Sequence, residues 1–347
     1  MTTTGLKTLR FCVCVTFLMF ALACSKAPQL PMKSGITVTD FRGVKVTLPK
    51  RATRVVCLIE SALSGIYMLD AEDTVVGVPT TVYNGNVAAQ YAALDVRIKQ
   101  KQILAPGNWD FVNMETVLAL EPDLVIIWAS QIEAISGLEK QGIRVYGVML
   151  KSLEDVYKEI TDLGVLLDKK ERAKTLVDYT RQEMNVFSTH LRTLVSAQRK
   201  KVYFMWAQSI LNTAGKNSTV DQVIEGALGF NVCRSELEHL VINKENLLIW
   251  NPEIIIMWQN ERLDAVDILK EPGLQTIDAV QNNRVYELPS VFYGDLWTLK
   301  FQYVIKMMAK WFWPAELKTL DLEHEKTKML DMLYGAKDKK LAQPKNP

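Results

Sequence analysis

Histidine and cysteine, the side chains that most often bind transition metals, are scarce in this sequence of 347 residues. It contains three histidines, His190, His239 and His324, and no Cys-x-x-Cys pair. A bare zinc or manganese site needs several histidine, cysteine or carboxylate ligands in one place. We therefore expect no metal-ligating cluster. His239 lies in a predicted loop and remains a candidate for a single metal ligand.

The few cysteines also limit disulfide bonding. Beyond Cys24 the sequence holds Cys57, within a strand-like apolar run, and Cys233, far from it along the chain. A single disulfide between the two is compatible with the sequence but is not implied by it.

Sequence signatures of common nucleotide-binding and hydrolytic enzymes are missing. There is no G-x-G-x-x-G, H-E-x-x-H or G-x-S-x-G. Residues 214–218 superficially resemble a phosphate-binding loop, but the upstream glycine is absent and Asn217 follows Lys216. The segment is better explained as a turn before a helix that has Ser218 or Thr219 as its N-cap. We therefore predict no catalytic residues and no cofactor.

An excess of charge of one sign is also absent. The 41 Lys and Arg residues face 39 Asp and Glu, a net charge of +2. That small excess is carried by Lys7 and Arg10, ahead of Cys24, where there is no acidic residue. A balanced chain argues against a nucleic-acid partner bound through phosphate neutralisation.

No apolar run is long enough to cross a membrane, and the N-terminal one resembles a signal peptide. Residues 11–23 form an apolar stretch after Lys7 and Arg10, shorter than the about 20 residues of a membrane span. Ala21-Leu22-Ala23-Cys24 resembles a lipoprotein signal box, which would leave Cys24 as an acylated first residue; plain cleavage after Ala23 is the alternative. We expect an exported protein, periplasmic or at the cell surface, tethered to a membrane by a lipid on Cys24.

What the sequence does contain is a duplication. METVLALEPDLVIIWAS (residues 114–130) and KENLLIWNPEIIIMWQN (residues 244–260) align without a gap at an offset of 130 residues. RVVCL (54–58) pairs with KVYFM (201–205), and RVYGV (144–148) with RVYEL (284–288), in the same order. Such an internal repeat indicates two similar units. The apolar strands alternate with helical patterns, which predicts α/β lobes with mainly parallel sheets.

A long helix is predicted between the two units. Residues 168–199 lack Gly and Pro and carry apolar residues at helical spacing; a coiled coil would need a partner helix and more heptads. An amphipathic segment, residues 317–334, is predicted near the end of the chain. The predicted organisation is a signal peptide (1–23), a tether (24–35), an N-terminal lobe (36–166), a linking helix (167–199), a C-terminal lobe (200–334) and a disordered tail (335–347).

This arrangement resembles the substrate-binding proteins of ABC importers, in particular the helical-backbone group that serves iron–siderophore, haem and cobalamin uptake. The resemblance runs from about Ile36 to Glu316. It includes ITVTDFRGVKVTLP (36–49), LEPDLVII (120–127), LGVLLDKKERAKTLV (163–177) and TAGKNSTVDQVIEGALGFNV (213–232). It implies two Rossmann-like lobes joined by one helix, and a monomer that binds a ligand without turning it over.

The resemblance also implies an ABC permease of the iron-complex type as partner. The family often places a glutamate on the first helix of each lobe to pair with the permease. Ser64 stands at the first-lobe position, with Glu60 one turn earlier, and Asp221 lies in the second-lobe region. Glu60 and Asp221 are therefore candidates for docking; charged residues on a solvated face are the alternative.

Ligands of parallel α/β sheets bind at the carboxyl ends of the strands, so the cleft between the lobes is the expected site. Aromatic faces and an arginine near those ends suit a large, partly apolar ligand. The candidate ligand-binding residues are Tyr83, Trp109, Trp128, Trp206, Trp258, Arg262, Tyr293 and Trp297. For Trp128 and Trp258, capping the core of each lobe is the competing interpretation. We expect a small-molecule metal chelate, a ferric siderophore, with a corrinoid or haem as alternatives; an extracytoplasmic enzyme or an adhesion lipoprotein is a more distant one.

Overall fold

The computed structural model describes Met1 and residues 35–196, 198–259 and 262–335. The predicted signal peptide, Cys24, nearly all of the tether and the tail beyond Gly335 lie outside the described residues. In the part of the chain that is described, no helix has the length and apolar character needed to cross a membrane.

An antiparallel hairpin and a parallel sheet form the first half of the described fold. The hairpin pairs β1 (Ile36–Thr39) with β2 (Lys45–Leu48). The sheet contains β3 (Val55–Cys57), β4 (Val75–Pro79), β5 (Leu104–Gly107), β6 (Leu124–Trp128) and β7 (Val145–Val148), in the spatial order β5-β4-β3-β6-β7. Every pairing in it is parallel. Its strands are almost wholly buried because helices cover both faces.

The helices of this half follow the strands in alternation. They are α1 (Glu60–Met68), α2 (Ala88–Leu94), α3 (Val96–Lys99), α4 (Met114–Ala119), α5 (Ile132–Lys140) and α6 (Leu153–Leu166), with short 3-10 turns at Glu72–Thr74 and Thr80–Val82.

The predicted linking helix is α7, Lys170–Leu194, of 25 residues. At 1.5 Å per residue it is about 37 Å long. It starts after a turn at Asp168, whose φ is 59°, so it is shorter at both ends than the predicted residues 167–199. Ala173, Leu176, Thr180 and Leu191 form part of its buried stripe. The helix packs against α6 and against a later helix, α13 (Phe301–Phe312). It is therefore a packed helix of the fold, as predicted, and needs no coiled-coil partner.

The second half is a smaller version of the first. Its parallel sheet contains β8 (Lys200–Met205), β10 (Gly229–Asn231), β12 (Ile254–Met257) and β13 (Val285–Glu287), in the order β10-β8-β12-β13, and β9 (Asn212–Thr213) pairs antiparallel with β11 (Leu240–Val241). Its helices are α8 (Thr219–Gly226), α9 (Lys244–Trp250), α10 (Ala265–Lys270), α11 (Asp278–Gln281), α12 (Val291–Gly294), α13 (Phe301–Phe312) and α14 (Leu322–Tyr334), with a 3-10 turn at Pro272–Leu274.

The duplication seen in the sequence is present in the structure. The repeated segments form α4–β6 and α9–β12, and the strand orders β3-β6-β7 and β8-β12-β13 correspond. The equivalence extends to local detail. Asn113 caps α4 and Asn243 caps α9, each accepting a backbone N–H three residues later. Glu121 and Asn251, in the turns that follow, both have positive φ, 45° and 41°.

The two halves share one buried core. A single hydrophobic cluster includes β3 and α1 of the first half and α13 and α14 of the second. Helix α14 reaches the first half directly, where the Tyr334 hydroxyl lies 2.7 Å from Ser64 Oγ. Cys57 and Cys233 are both buried and both free. The fold is thus two α/β lobes with parallel sheets joined by one long helix, as the sequence predicts.

Candidate functional site

A pocket of about 140 Å³ lies at the carboxyl ends of the strands in the first sheet. Residues that follow β3, β4, β5 and β6 form one wall, and the segment after β13 forms the other. The pocket is lined by Leu58, Ile59, Glu60, Ser61, Pro79, Thr81, Asn108, Trp109, Trp128, Val291, Asp295 and Trp297. This is the position in which parallel α/β sheets bind their ligands.

A larger groove of about 400 Å³ lies elsewhere, among α6, α7, α8 and α13. Across it Arg181 forms two hydrogen bonds to Glu154, at 2.8 and 2.6 Å. Because it lies between helices, away from both sets of strand ends, we identify the smaller pocket as the candidate site.

Trp109 is presented to the pocket by a tight loop. Asn108 Oδ1 accepts the backbone N–H of Asp110 at 2.8 Å, and Asn108 Nδ2 donates to Thr80 Oγ1 at 2.8 Å. A Cβ on Gly107 would lie 2.3 Å from the carbonyl oxygen of Phe111, so this turn requires glycine. Trp109 is 66% exposed, which leaves its ring available at the mouth of the pocket.

Trp128 and Trp297 face the same pocket from opposite walls. Trp128 ends β6 and is half-buried; it also packs against the core. Trp128 therefore packs against the core of its lobe and also forms part of the wall of the cleft.

Three indoles form a cluster on the second lobe. Trp206 and Trp297 stack with their planes 5° apart and ring centroids at 6.0 Å. Trp258 lies 5.5 Å from Trp206 and 5.4 Å from Trp297. The centroid of the His239 ring lies 4.7 Å from that of Trp206. Trp206 is buried and Trp258 half-buried, and both contact Trp297, which lines the pocket.

The remaining candidate ligand residues lie outside the residues that line the pocket. The Tyr83 hydroxyl donates to the Ile103 carbonyl at 2.6 Å. Tyr293 packs edge-on against Phe292, and Arg262 is exposed on the second lobe. Their assignment as ligand-binding residues stays a prediction.

The two docking candidates are both engaged within the protein. Glu60 lines the pocket and accepts a hydrogen bond of 2.6 Å from the Tyr91 hydroxyl. Asp221 is 5% exposed and pairs with Arg234 at 3.1 Å. Ser64, at the family's usual glutamate position, is fully buried. Docking through Glu60 and Asp221 likewise stays a prediction.

Three of the residues that line the pocket each carry a buried oxygen atom. Ser61 Oγ, Thr81 Oγ1 and Asp295 Oδ2 are buried and have no hydrogen-bond partner among the described residues. Neither Asp295 nor Ser61 is among the candidate ligand-binding residues selected from the sequence. The signal that could have found Ser61 is its position at the start of the helix that follows β3, at a carboxyl end.

Asp295 is fully buried, and burial raises the pKa of its carboxyl group to about 7. The cation nearest in sequence, Lys300, is also fully buried, which lowers the pKa of its ammonium group. Lys300 Nζ donates to Ser64 Oγ at 3.0 Å and lies 4.4 Å from the centre of the Phe292 ring. The Lys300 ammonium in turn lowers the pKa of Asp295, and the Asp295 carboxyl group raises the pKa of Lys300, so the two buried groups are electrostatic partners.

The lobes touch each other beside the pocket. The Asn86 side-chain amide donates to Gln259, and the Ser290 hydroxyl donates to the Asn86 carbonyl at 3.2 Å. These contacts connect the loop after β4 with the segments after β12 and β13. Among the described residues, no group of three His, Cys, Asp or Glu side chains is arranged to hold a metal ion.

Comparison with known proteins agrees with this geometry. YvrC of Bacillus subtilis, an ABC transporter substrate-binding lipoprotein, is 26% identical over 76% of this chain and 81% of its own. The molybdate-binding protein MolA of Haemophilus influenzae is 25% identical over 82% of this chain and 87% of its own.

Solved structures share the fold. MolA with bound molybdate aligns with a TM-score of 0.73 at 22% identity, over 86% of this chain and 97% of its own. CeuE of Helicobacter pylori, solved as a nickel–histidine complex, aligns with a TM-score of 0.76 at 20% identity, over 89% and 98%. The model of the periplasmic binding protein family matches residues 55–292. The resemblance to substrate-binding proteins of ABC importers is thereby confirmed, and the chain belongs to the periplasmic binding protein family.

Proposed function

We propose that this protein binds a large, partly apolar metal chelate, a ferric siderophore, in the pocket between its lobes and delivers it to an ABC permease. The observation that carries the proposal is the arrangement of Trp109, Trp128 and Trp297 around one pocket at the strand ends. Indole faces bury a large apolar area at low entropic cost and attract delocalised cations.

The small volume of the pocket limits how much of such a ligand it can enclose. Pockets for drug-sized ligands measure about 300–1,000 Å³, and this one measures about 140 Å³. An edge of the chelate would enter the pocket while its bulk lies over the exposed Trp109 ring. A corrinoid or haem could stack on the same indoles, but the propionates of haem would approach the carboxyl groups of Glu60 and Asp295.

Molybdate, which the relative MolA binds by name, fits this pocket less well. The lining contains no Lys, Arg or His, and it contains the carboxyl groups of Glu60 and Asp295. A compact dianion would be repelled by ionised carboxylates without a compensating cation. The charge of the lining therefore favours a neutral or cationic ligand.

Tryptophan fluorescence of the purified protein tests the proposal. A ferric tris-hydroxamate should quench the emission saturably, and cyanocobalamin, haem and molybdate serve as competing ligands. Trp128→Ala and Trp297→Ala should each raise the Kd at least about tenfold. Trp311→Ala is the matched control, because Trp311 stacks on Tyr286 at 4.9 Å, outside the pocket. Unchanged affinity in both pocket variants would contradict the proposal.

We further propose that the mature chain is a monomer held at a membrane by a lipid on Cys24 and that Glu60 and Asp221 contribute to permease docking. Support for the anchor is the Ala21–Cys24 signal box. Incorporation of labelled palmitate into the wild-type protein, but not into Cys24→Ala, tests it. Because Glu60 also lines the pocket, docking variants should be assayed for ligand affinity and for transport separately.

A further inference from the structure

Trp297 is the one partly exposed residue of an otherwise buried loop. Residues 295–300, here called the Trp297 loop, connect α12 with α13 and form neither helix nor strand. The other five residues of the loop are each at most 1% exposed: Asp295, Leu296, Thr298, Leu299 and Lys300. The Trp297 indole lines the pocket, so the buried part of the loop sets where this indole lies.

Two side chains within the loop hold its backbone. Asp295 Oδ1 accepts the backbone N–H of Trp297 at 2.8 Å, and Thr298 Oγ1 accepts the backbone N–H of Lys300 at 3.2 Å. Buried backbone donors need a partner, and in a loop side-chain acceptors take the place of helix or sheet partners. An ionised carboxylate is the stronger acceptor of the two. The backbone of Trp297 is therefore held by the Asp295 carboxyl group.

Lys300 supplies the charge that balances this carboxyl group. Both side chains are fully buried, and burial raises the pKa of Asp295 to about 7 and lowers the pKa of Lys300. The Lys300 ammonium opposes the rise, and the carboxyl groups of Asp295 and Glu60 oppose the fall. Removing one member of a buried charge pair leaves the other uncompensated, which is strongly unfavourable. The ionised form of Asp295 therefore depends on Lys300.

The same ammonium group reaches the opposite lobe. Lys300 Nζ donates to Ser64 Oγ on α1 at 3.0 Å, and Ser64 Oγ also lies 2.7 Å from the Tyr334 hydroxyl. Helix α1 begins with Glu60, which lines the pocket on the wall opposite Trp297. Lys300 itself is not among the lining residues. It thus connects the Trp297 loop to the helix of the facing wall from beneath the pocket.

We propose that Lys300 is a positioning residue for ligand binding. It acts through Asp295 on the backbone of Trp297 and through Ser64 on α1, and so fixes the Trp297 indole relative to the wall formed by the first lobe. The inference rests on the proposed function in one respect, that Trp297 contacts the ligand. It adds to the site a residue that touches no ligand but sets the spacing of the two walls. A preorganised pocket binds more tightly because less ordering is left for the ligand to bring about.

Fluorine NMR of protein labelled with 5-fluorotryptophan tests the position of Trp297 without any ligand. Trp297→Phe identifies its signal. Lys300→Met keeps an unbranched apolar chain but removes the ammonium group, and it should shift the Trp297 signal or divide it into two. The signal of Trp311, which stacks on Tyr286 outside the pocket, should stay unchanged. An unchanged Trp297 signal in folded Lys300→Met would overturn the proposal.

Lys306→Met is the matched control for the loss of a buried ammonium group. Lys306 is 6% exposed and pairs with Glu183 at 3.0 Å and Glu325 at 2.5 Å, on α7 and α14. Its removal should lower the free energy of unfolding, as that of Lys300 does, but should leave the Trp297 signal in place. An equal shift of this signal in both variants would reduce the role of Lys300 to general stability and overturn the proposal.

A double variant separates position from unpaired charge. Asp295→Asn combined with Lys300→Met leaves no uncompensated charge, so it should be more stable than Lys300→Met alone. The contact with Ser64 is still absent, so the Trp297 signal should remain displaced. A wild-type Trp297 signal in the double variant would refute the connection to α1. If Lys300→Met alone does not fold, the double variant decides the proposal.

Ligand affinity separates this inference from the proposed function. The Kd for a ferric tris-hydroxamate should rise at least about fivefold in Lys300→Met and less than about twofold in Lys306→Met. A displaced Trp297 signal with the Kd of the wild type overturns the proposal and leaves the chelate assignment. A displaced signal in a protein whose wild type binds no chelate supports the positioning of Trp297 by Lys300 and overturns the chelate assignment.

Discussion

At the scale of single residues, the site is made by side chains that the two lobes bring together from distant parts of the sequence. The sequence places Trp109 in a Pro-Gly loop and Trp128 at the end of a strand, and both line the pocket. Ser61 and Thr81 are ordinary hydroxyl residues, and only the assembled structure shows that they line the same pocket as Asp295. Sequence position predicts which ends of strands meet, but not which small polar side chains are left without a partner.

The buried carboxyl group of Glu159 should make the stability of the protein depend on pH. It is fully buried, one of its oxygens has no partner among the described residues, and burial raises its pKa to about 8. The pKa of Glu159 is higher in the folded than in the unfolded state. The stability that this group contributes to the fold is therefore fully present below about pH 4.5 and is lost as the pH rises through 8. Glu159→Gln should therefore raise the free energy of unfolding at pH 9 by about 1 kcal/mol or more. Urea unfolding of wild type and variant at pH 6 and pH 9 measures this change in the free energy of unfolding. An equal change at both pH values would exclude the ionisation of Glu159 as the cause.

At the scale of elements, sequence reasoning performed best where a pattern was repeated. The α4–β6 and α9–β12 units were identified from their common residues, and the buried stripe of α7 from its helical spacing. Helix α13 was not predicted, although Gln302, Lys306 and Lys310 lie four residues apart and give its sequence a polar stripe. In the structure Gln302 and Lys306 are buried and donate to Thr180 and Glu183 of α7, so this stripe faces another helix and not solvent.

The start of α8 gives a test at this scale. Ser218 Oγ accepts the backbone N–H of Asp221 at 3.1 Å and donates to the Gly215 carbonyl at 2.7 Å. Ser218→Ala removes a buried N-cap and should lower the free energy of unfolding by about 1–2 kcal/mol. Ser188→Ala, on the exposed face of α7, is the control and should change it by less than about 0.5 kcal/mol. Similar losses for both would show that the cap is not what stabilises α8.

At the scale of the whole molecule, the lobes are tied together by more than the linking helix. Arg172 on α7 donates to the carbonyls of Met332 and Leu333 on α14, at 2.8 and 3.1 Å. Tyr334 reaches Ser64 on α1, and the hydrophobic core runs through both lobes. We therefore expect the shared core and the contacts of α7 and α14 to limit relative motion of the lobes to a small hinge movement.

This arrangement predicts one cooperative unfolding transition. Tryptophan fluorescence reports mainly on the cleft and the second lobe, and far-ultraviolet circular dichroism reports on all helices. Both should give the same urea midpoint, because unfolding of either lobe exposes the shared core. Two separated midpoints would show that the lobes are independent units.

The location of a bound chelate tests the central claim most directly. Crystals of the protein grown with a ferric tris-hydroxamate should show the iron by its anomalous scattering. We predict a single iron peak over Trp109, Trp128 and Trp297. An iron peak in the groove among α6, α7, α8 and α13, with the pocket between the lobes unchanged, would contradict the account.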